Sequence, residues 1–278
     1  MELDSCVDIM RKTALSTLAI LVCASTALGA LNLISVKDEI ALGRQAQQQV
    51  RRQVPELRDS MVSNYIETLG RRIAARADGA RYPYSFDVAN YREVNAFALP
   101  GGPIWINRGT IATARNESQL AGVVAHEIAH IAQRHAAEQI TKGTFANVGL
   151  GILGALLGNG TGSQIAQIGA GFAAQASMMK FSRDDEREAD LKALQYMKRA
   201  GYDPRGMVEF LQVLRQRQGR DPGSVQVFFA SHPAPGERTR RLEQEANRLA
   251  GGRRNSAAFE QVQSRLDRLG PPASMRSR

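Results

Sequence analysis

From Asn116 onward the apolar residues Leu120, Val123, Val124, Ile128 and Ile131 recur at steps of three and four, the period of a helix with one buried stripe. Asn116 can cap that helix, with Gln119 three residues on as its reciprocal partner. Val62, Tyr65, Ile66, Leu69 and Ile73 predict another helix from about Asp59 to Ala77, and Ser35 caps an earlier one that Pro55 stops after Gln53. Ser182, followed three residues later by Asp185, opens a further helix that Gly201 ends. Asp203-Pro204 starts the next, to about Gln218, and residues 235–249 and 256–269 also read as helical. Tyr84–Ala89 reads as a strand. Residues 93–111 place apolar runs on both sides of Pro100-Gly101-Gly102-Pro103, a turn between two strands. The sum is an α+β fold: one mainly helical domain over residues 31–269, with a small antiparallel sheet beside the helix that follows Asn116.

Three segments depart from this pattern. Arg11-Lys12, an apolar run from Ala14 to Ala24, and the small residues up to Ala30 form the three parts of a secretory signal peptide over residues 1–30. Both cysteines, Cys6 and Cys23, fall inside it, so a chain cleaved there would have none, the alternative being an uncleaved anchor. The expected location is a bacterial periplasm. Residues 143–179 carry no charge. Their two apolar pieces would each be roughly 21–23 Å long as helix, short of the ~30 Å hydrocarbon core of a bilayer. A Gly/Ala-rich hairpin or flap is expected there; covering the cleft, touching a membrane and packing on the body all remain open. Residues 270–278 read as a disordered tail.

The whole chain of 278 residues has a formal charge of +9; without residues 1–30 it has 34 basic and 24 acidic residues, or +10. That balance suits peripheral contact with an anionic membrane. The chain has no nucleic-acid-binding motif, and nucleic acid is not expected as a partner.

The chemistry lies in His126-Glu127-Ile128-Ala129-His130. Helix positions four apart stand one above the other, so both imidazoles can grip one ion. Neutral imidazoles suit zinc, which in catalytic sites takes three protein ligands and keeps one position open. Glu127 is placed to reach a water on that ion and act as general base. Burying two histidines and a glutamate without partners is costly, which argues against coincidence. A carboxylate ligand is available at Glu186. Asp190, one turn further along the same helix face, can accept the remaining ring N–H of a zinc histidine. Glu188 faces away and is assigned to the surface, and Trp105 to the core. No serine or cysteine arrangement competes as nucleophile.

HEIAHIAQRH from His126 to His135, Glu186 to Asp190, and His232-Pro233 with Arg238 five residues after the proline together resemble the HtpX and CAAX-prenyl-protease type of zinc metallopeptidase, a gluzincin. The layout is most like its secreted, BepA-like branch, without that branch's C-terminal repeat domain. The resemblance runs from about residue 36 to 269. It implies a zincin-like domain with one Zn2+ per chain held by His126, His130 and Glu186, with Glu127 as general base and Asp190 as partner of a ligand. It further implies that Asn95, Ala96, Phe97 and Ala98 form the strand along which a peptide is laid, with Arg238 in a supporting role. His232 would face the site, either donating to the developing oxyanion or occupying the open zinc position and holding the enzyme inactive. His135, five residues beyond His130, is expected on another face of the helix, in a packing or hydrogen-bonding role. The implied function is hydrolysis of peptide bonds in unfolded or misassembled envelope proteins, with the oligomeric state left open. The alternative is a zinc-containing periplasmic chaperone or assembly factor with latent proteolytic activity.

Overall fold

A computed structural model describes residues 34–147, 180–233 and 236–275. The expected signal peptide and most of the uncharged stretch (148–179) lie outside them. Helix α1 (Val36–Gln53) starts where Ser35 Oγ accepts the Asp38 N–H. Helix α2 (Ser60–Ala74) starts where the Asp59 carboxylate accepts the Val62 N–H. Strands β1 (Ser85–Ala89), β2 (Ala96–Ala98) and β3 (Pro103–Asn107) follow, then a short α3 (Arg108–Thr113). Helix α4 (Glu117–Ala132) carries the two motif histidines, and α5 (His135–Asn147) begins three residues after it ends. Then come α6 (Arg183–Arg199), α7 (Arg205–Arg220), α8 (Pro222–Ser231), α9 (Gly236–Arg248) and α10 (Ala257–Arg268). α3, the separate α5 and α8 are absent from the pattern reading; the other helices are in it.

The strand order is β1-β3-β2. β2 and β3 form the expected antiparallel hairpin, with Phe97 opposite Trp105. Gly101 and Gly102 take φ values of 73° and 132° in its turn, a conformation other residues rarely adopt. β1 runs parallel to β3, so the sheet is mixed where an antiparallel one was expected. The chain reverses after β1 without pairing β2 to it, and the hairpin then lays β3 in the gap, back in β1's direction.

Every one of the sixteen residues of α4 is buried. It runs through the centre of the molecule, with α2, α6, α7 and β2 packed around it. Gly122 lets α7 approach closely, since a Cβ there would lie 2.7 Å from Met207 Cα. On the other face of the sheet Phe97, Leu99 and Trp105 pack with Ala46 and Val50 of α1, and the Phe97 and Trp105 rings stack nearly parallel.

The segment after α10, expected to be disordered, is instead docked through Met275. Ala273 exchanges backbone hydrogen bonds with Asn90 and Arg92. Ser274 Oγ and the Met275 N–H donate to the buried Glu93 carboxylate at 2.7 and 3.0 Å. Arg108 donates to the carbonyls of Leu266 and Gly270, both at 2.6 Å. Two buried charged groups need partners: the segment supplies those of Glu93, and shares Arg108 with the last turn of α10. Among the described residues no helix is long and apolar enough to cross a membrane.

Candidate metal centre

Three elements converge on one buried point. α4 brings His126 and His130, α6 brings Glu186, and the residue that ends α8 is His232. All four are at most 4% exposed. His126 Nε2 lies 3.0 Å from His130 Nε2 and 3.2 Å from His232 Nδ1. Glu186 Oε1 lies 2.9 Å from His232 Nδ1 and 3.4 Å from His130 Nε2, while its Oε2 is 3.5 Å from His126 Nε2. Ligand atoms on a zinc tetrahedron with bonds of about 2.0–2.1 Å stand about 3.3 Å apart, in the middle of this range. Ring nitrogens and a carboxylate crowded together away from water are costly unless a cation sits among them. The residues therefore fit a divalent ion, and zinc in particular by their nitrogen-rich donor set.

The charges agree with this. Burial would raise the Glu186 carboxyl, but His232, His126 and His130 around it outweigh that and hold it well below the ordinary carboxylate range. Burial, helped by the neighbouring His126 and His232 and opposed by Glu186, drives His130 well below the usual imidazole value. It opposes protonation of His126 too, yet Asp190 and Glu186 prevail and push that ring up to about 10. Asp190 Oδ1 lies 3.1 Å from His126 Nδ1, on the side of the ring away from the cluster.

Glu127 stands beside the cluster and outside it. It is 1% exposed, neither carboxylate oxygen has a hydrogen-bond partner, and Oε1 lies 3.5 Å from His232 Nε2. Burial raises its proton affinity, with His232 and His126 opposing.

His232 reaches the cluster through α8. The signal for that helix is Pro222 at its first turn, after Asp221, followed by the apolar Val225, Val227, Phe228 and Phe229. His135 also differs from the sequence reading. It does not lie on another face of α4, because α4 stops at Ala132 and α5 starts at His135 itself. Its Nδ1 lies 2.9 Å from His130 Nδ1, so the expected hydrogen-bonding contact is with a motif histidine. Burial lowers the proton affinity of its ring. Glu188 is 54% exposed on its side chain, yet its Oε2 comes within 3.5 Å of His135 Nε2.

β2 is the edge strand beside α4. The flanking groups, the Asn95 carbonyl and the Leu99 N–H, bond to β3. By the alternation of an antiparallel pair, the backbone groups of Ala96 and Ala98 point away from β3, at the free edge. The Asn95 backbone is tied to Thr110 Oγ1, and the Phe97 ring belongs to the smaller core. Arg238 lies in α9, with its side chain outside the described residues.

Residues 60–246 match the model of Peptidase family M48. The chain is 33% identical over 221 residues to the beta-barrel assembly-enhancing protease of Yersinia pestis and 31% identical to that of Escherichia coli (strain K12). Each alignment covers 78% of this chain and 45% of the relative. It is 28% identical over 201 residues to metalloprotease YcaL of Escherichia coli (strain K12), covering 70% of this chain and 75% of that one. The chain thus spans about half the length of the assembly-enhancing proteases it matches.

Proposed function

Because the chain belongs to peptidase family M48, we propose that it is a zinc-dependent endopeptidase acting on unfolded or misassembled envelope proteins. The observation that carries this reading is the buried cluster at tetrahedral spacing with the unbonded Glu127 beside it. In this reading His126, His130 and Glu186 hold the ion, and Asp190 fixes the ring of His126. Zinc, when bound, supplies Lewis acidity, making water acidic near neutral pH and polarising a scissile carbonyl. Glu127 takes up the proton of the attacking water on its carboxylate and passes it to the leaving amine. Its raised proton affinity favours holding that proton during the transfer.

The Ala96 and Ala98 backbone groups would pair with a peptide in extended form. Such pairing reads main chain more than side chain, which suits unfolded substrates. The names of the assembly-enhancing proteases support an envelope substrate. The signal-peptide pattern of residues 1–30 supports a periplasmic location, and the basic mature chain supports contact with anionic membrane.

One observation favours a second, latent form. His232 Nδ1 stands at the fourth corner of the cluster, where a water would otherwise lie. We read this as a closed state of the same enzyme, in which withdrawal of His232 opens the site. The zinc-containing assembly factor with latent proteolysis rests on the same contact.

Casein degradation by purified chain, compared with Glu127→Gln, tests the proposal. Loss of cleavage by about 10²-fold or more in the variant is expected, and equal activity in both would remove the peptidase. His232→Ala separates the two roles of that residue: a rise in cleavage means a brake, a fall means an oxyanion donor. A Glu127→Gln chain that suppresses aggregation of an unfolded outer-membrane protein as well as wild type does would favour the assembly factor.

A further inference from the structure

The metal cluster accounts for His126, His130 and His232 but leaves the fourth histidine of the chain unexplained. His135 is 2% exposed, and its Nε2 makes no hydrogen bond. Its position depends on a break in the helix. Arg134 has φ 64°, the only non-glycine positive φ among the described residues. Had α4 continued, His135 would lie about 140° around the axis from His130, out of reach of that ring. The break instead turns His135 back, so that the two rings meet at 5.0 Å between centroids and 72° between planes. Arg134 is held in this conformation by the buried Glu39 and the Ile34 carbonyl, and Tyr82 Oη donates to Glu39 at 2.9 Å.

We propose that His135 and Glu188 form a positioning relay that sets the tautomer and ring orientation of His130, linking the metal cluster to an exposed carboxylate. The proposal rests on the zinc reading. His130 Nε2 faces His126, Glu186 and His232, so it must offer a lone pair there for the ring to serve as a ligand. The proton of neutral His130 is then on Nδ1, and with a separation of 2.9 Å it is donated to His135 Nδ1. His135 therefore carries its own proton on Nε2, the atom 3.5 Å from Glu188 Oε2. A small rotation of the exposed Glu188 side chain closes that contact. Asp190 serves His126 directly with a carboxylate. His130 has its carboxylate one imidazole further away.

Zinc affinity by chelator competition, measured on the full chain, tests the relay alongside the melting temperature of the metal-free protein. His135→Phe keeps a flat ring beside Phe181 and removes the acceptor; it should weaken zinc binding about 10- to 100-fold. His135→Asn restores an acceptor near the Nδ1 position and should recover most of that loss. Glu188→Ala, at an exposed site, should weaken binding several-fold with an unchanged metal-free melting temperature. The relay is overturned if His135→Phe binds zinc like wild type, or if Asn and Phe lose affinity equally. It is also overturned if Glu188→Ala leaves affinity untouched. A wild-type chain that binds no zinc would remove the metal reading itself, a different result from any of these.

Discussion

Asp190 touches His126 Nδ1 at 3.1 Å and has no place among the cluster atoms themselves. Replacing it by alanine should therefore leave the four-atom cluster intact and lower zinc affinity about 10- to 100-fold, read by chelator competition. At this scale the sequence is highly informative. Two histidines four apart, and two carboxylates four apart further on, become facing pairs as soon as both segments are helical, and the structure brings the pairs together. His135 was harder to place. Nothing between Ala132 and His135 signals a helix end: there is no glycine or proline, and the left-handed residue is an arginine. That conformation is held by Glu39, about a hundred residues earlier in the chain, which local pattern cannot foresee.

At the scale of elements, the cluster depends on how closely the helices bearing it approach one another. Gly122→Ala puts a methyl 2.7 Å from Met207 Cα and must push α4 and α7 apart. A cost of about 1–3 kcal/mol is expected in chemical denaturation, a typical price of overpacking. The start of α6 offers a milder test, since Ser182 and Asp185 form a reciprocal capping box immediately before Glu186. Ser182→Ala should cost about 1 kcal/mol and fray the turn that carries Glu186, visible as a lower melting temperature. Most helix ends were legible because each is written locally, in a cap or a proline. α8 carries little local signal, because its apolar run is short and is followed at once by His232-Pro233. The parallel pairing of β1 with β3 depends on where β2 settles, which strand periodicity does not determine.

Across the whole molecule, distant segments are tied by a few buried ions. Asp203 receives Arg205 and Arg254 side chains, and its carbonyl accepts from Ser118 at the start of α4. Burial would raise its pKa, but Arg205 and Arg254 prevail and hold it at about 2, below the ordinary aspartate value. The folded carboxylate thus stabilises the protein fully above about pH 4, and that contribution fades as pH falls toward 2. Acid titrations of wild type and Asp203→Asn should converge across this window and differ above it. Deleting residues 270–275 should cost on the order of 3 kcal/mol in chemical denaturation, because the buried Glu93 would lose Ser274 and Met275 and Arg108 would lose its Gly270 acceptor.

Met275 rests on Glu93 and beside Asn107, packed against the core formed by Phe97 and Trp105. A fusion joined here would tug on the anchor that covers Glu93, on the Phe97–Trp105 face of the sheet.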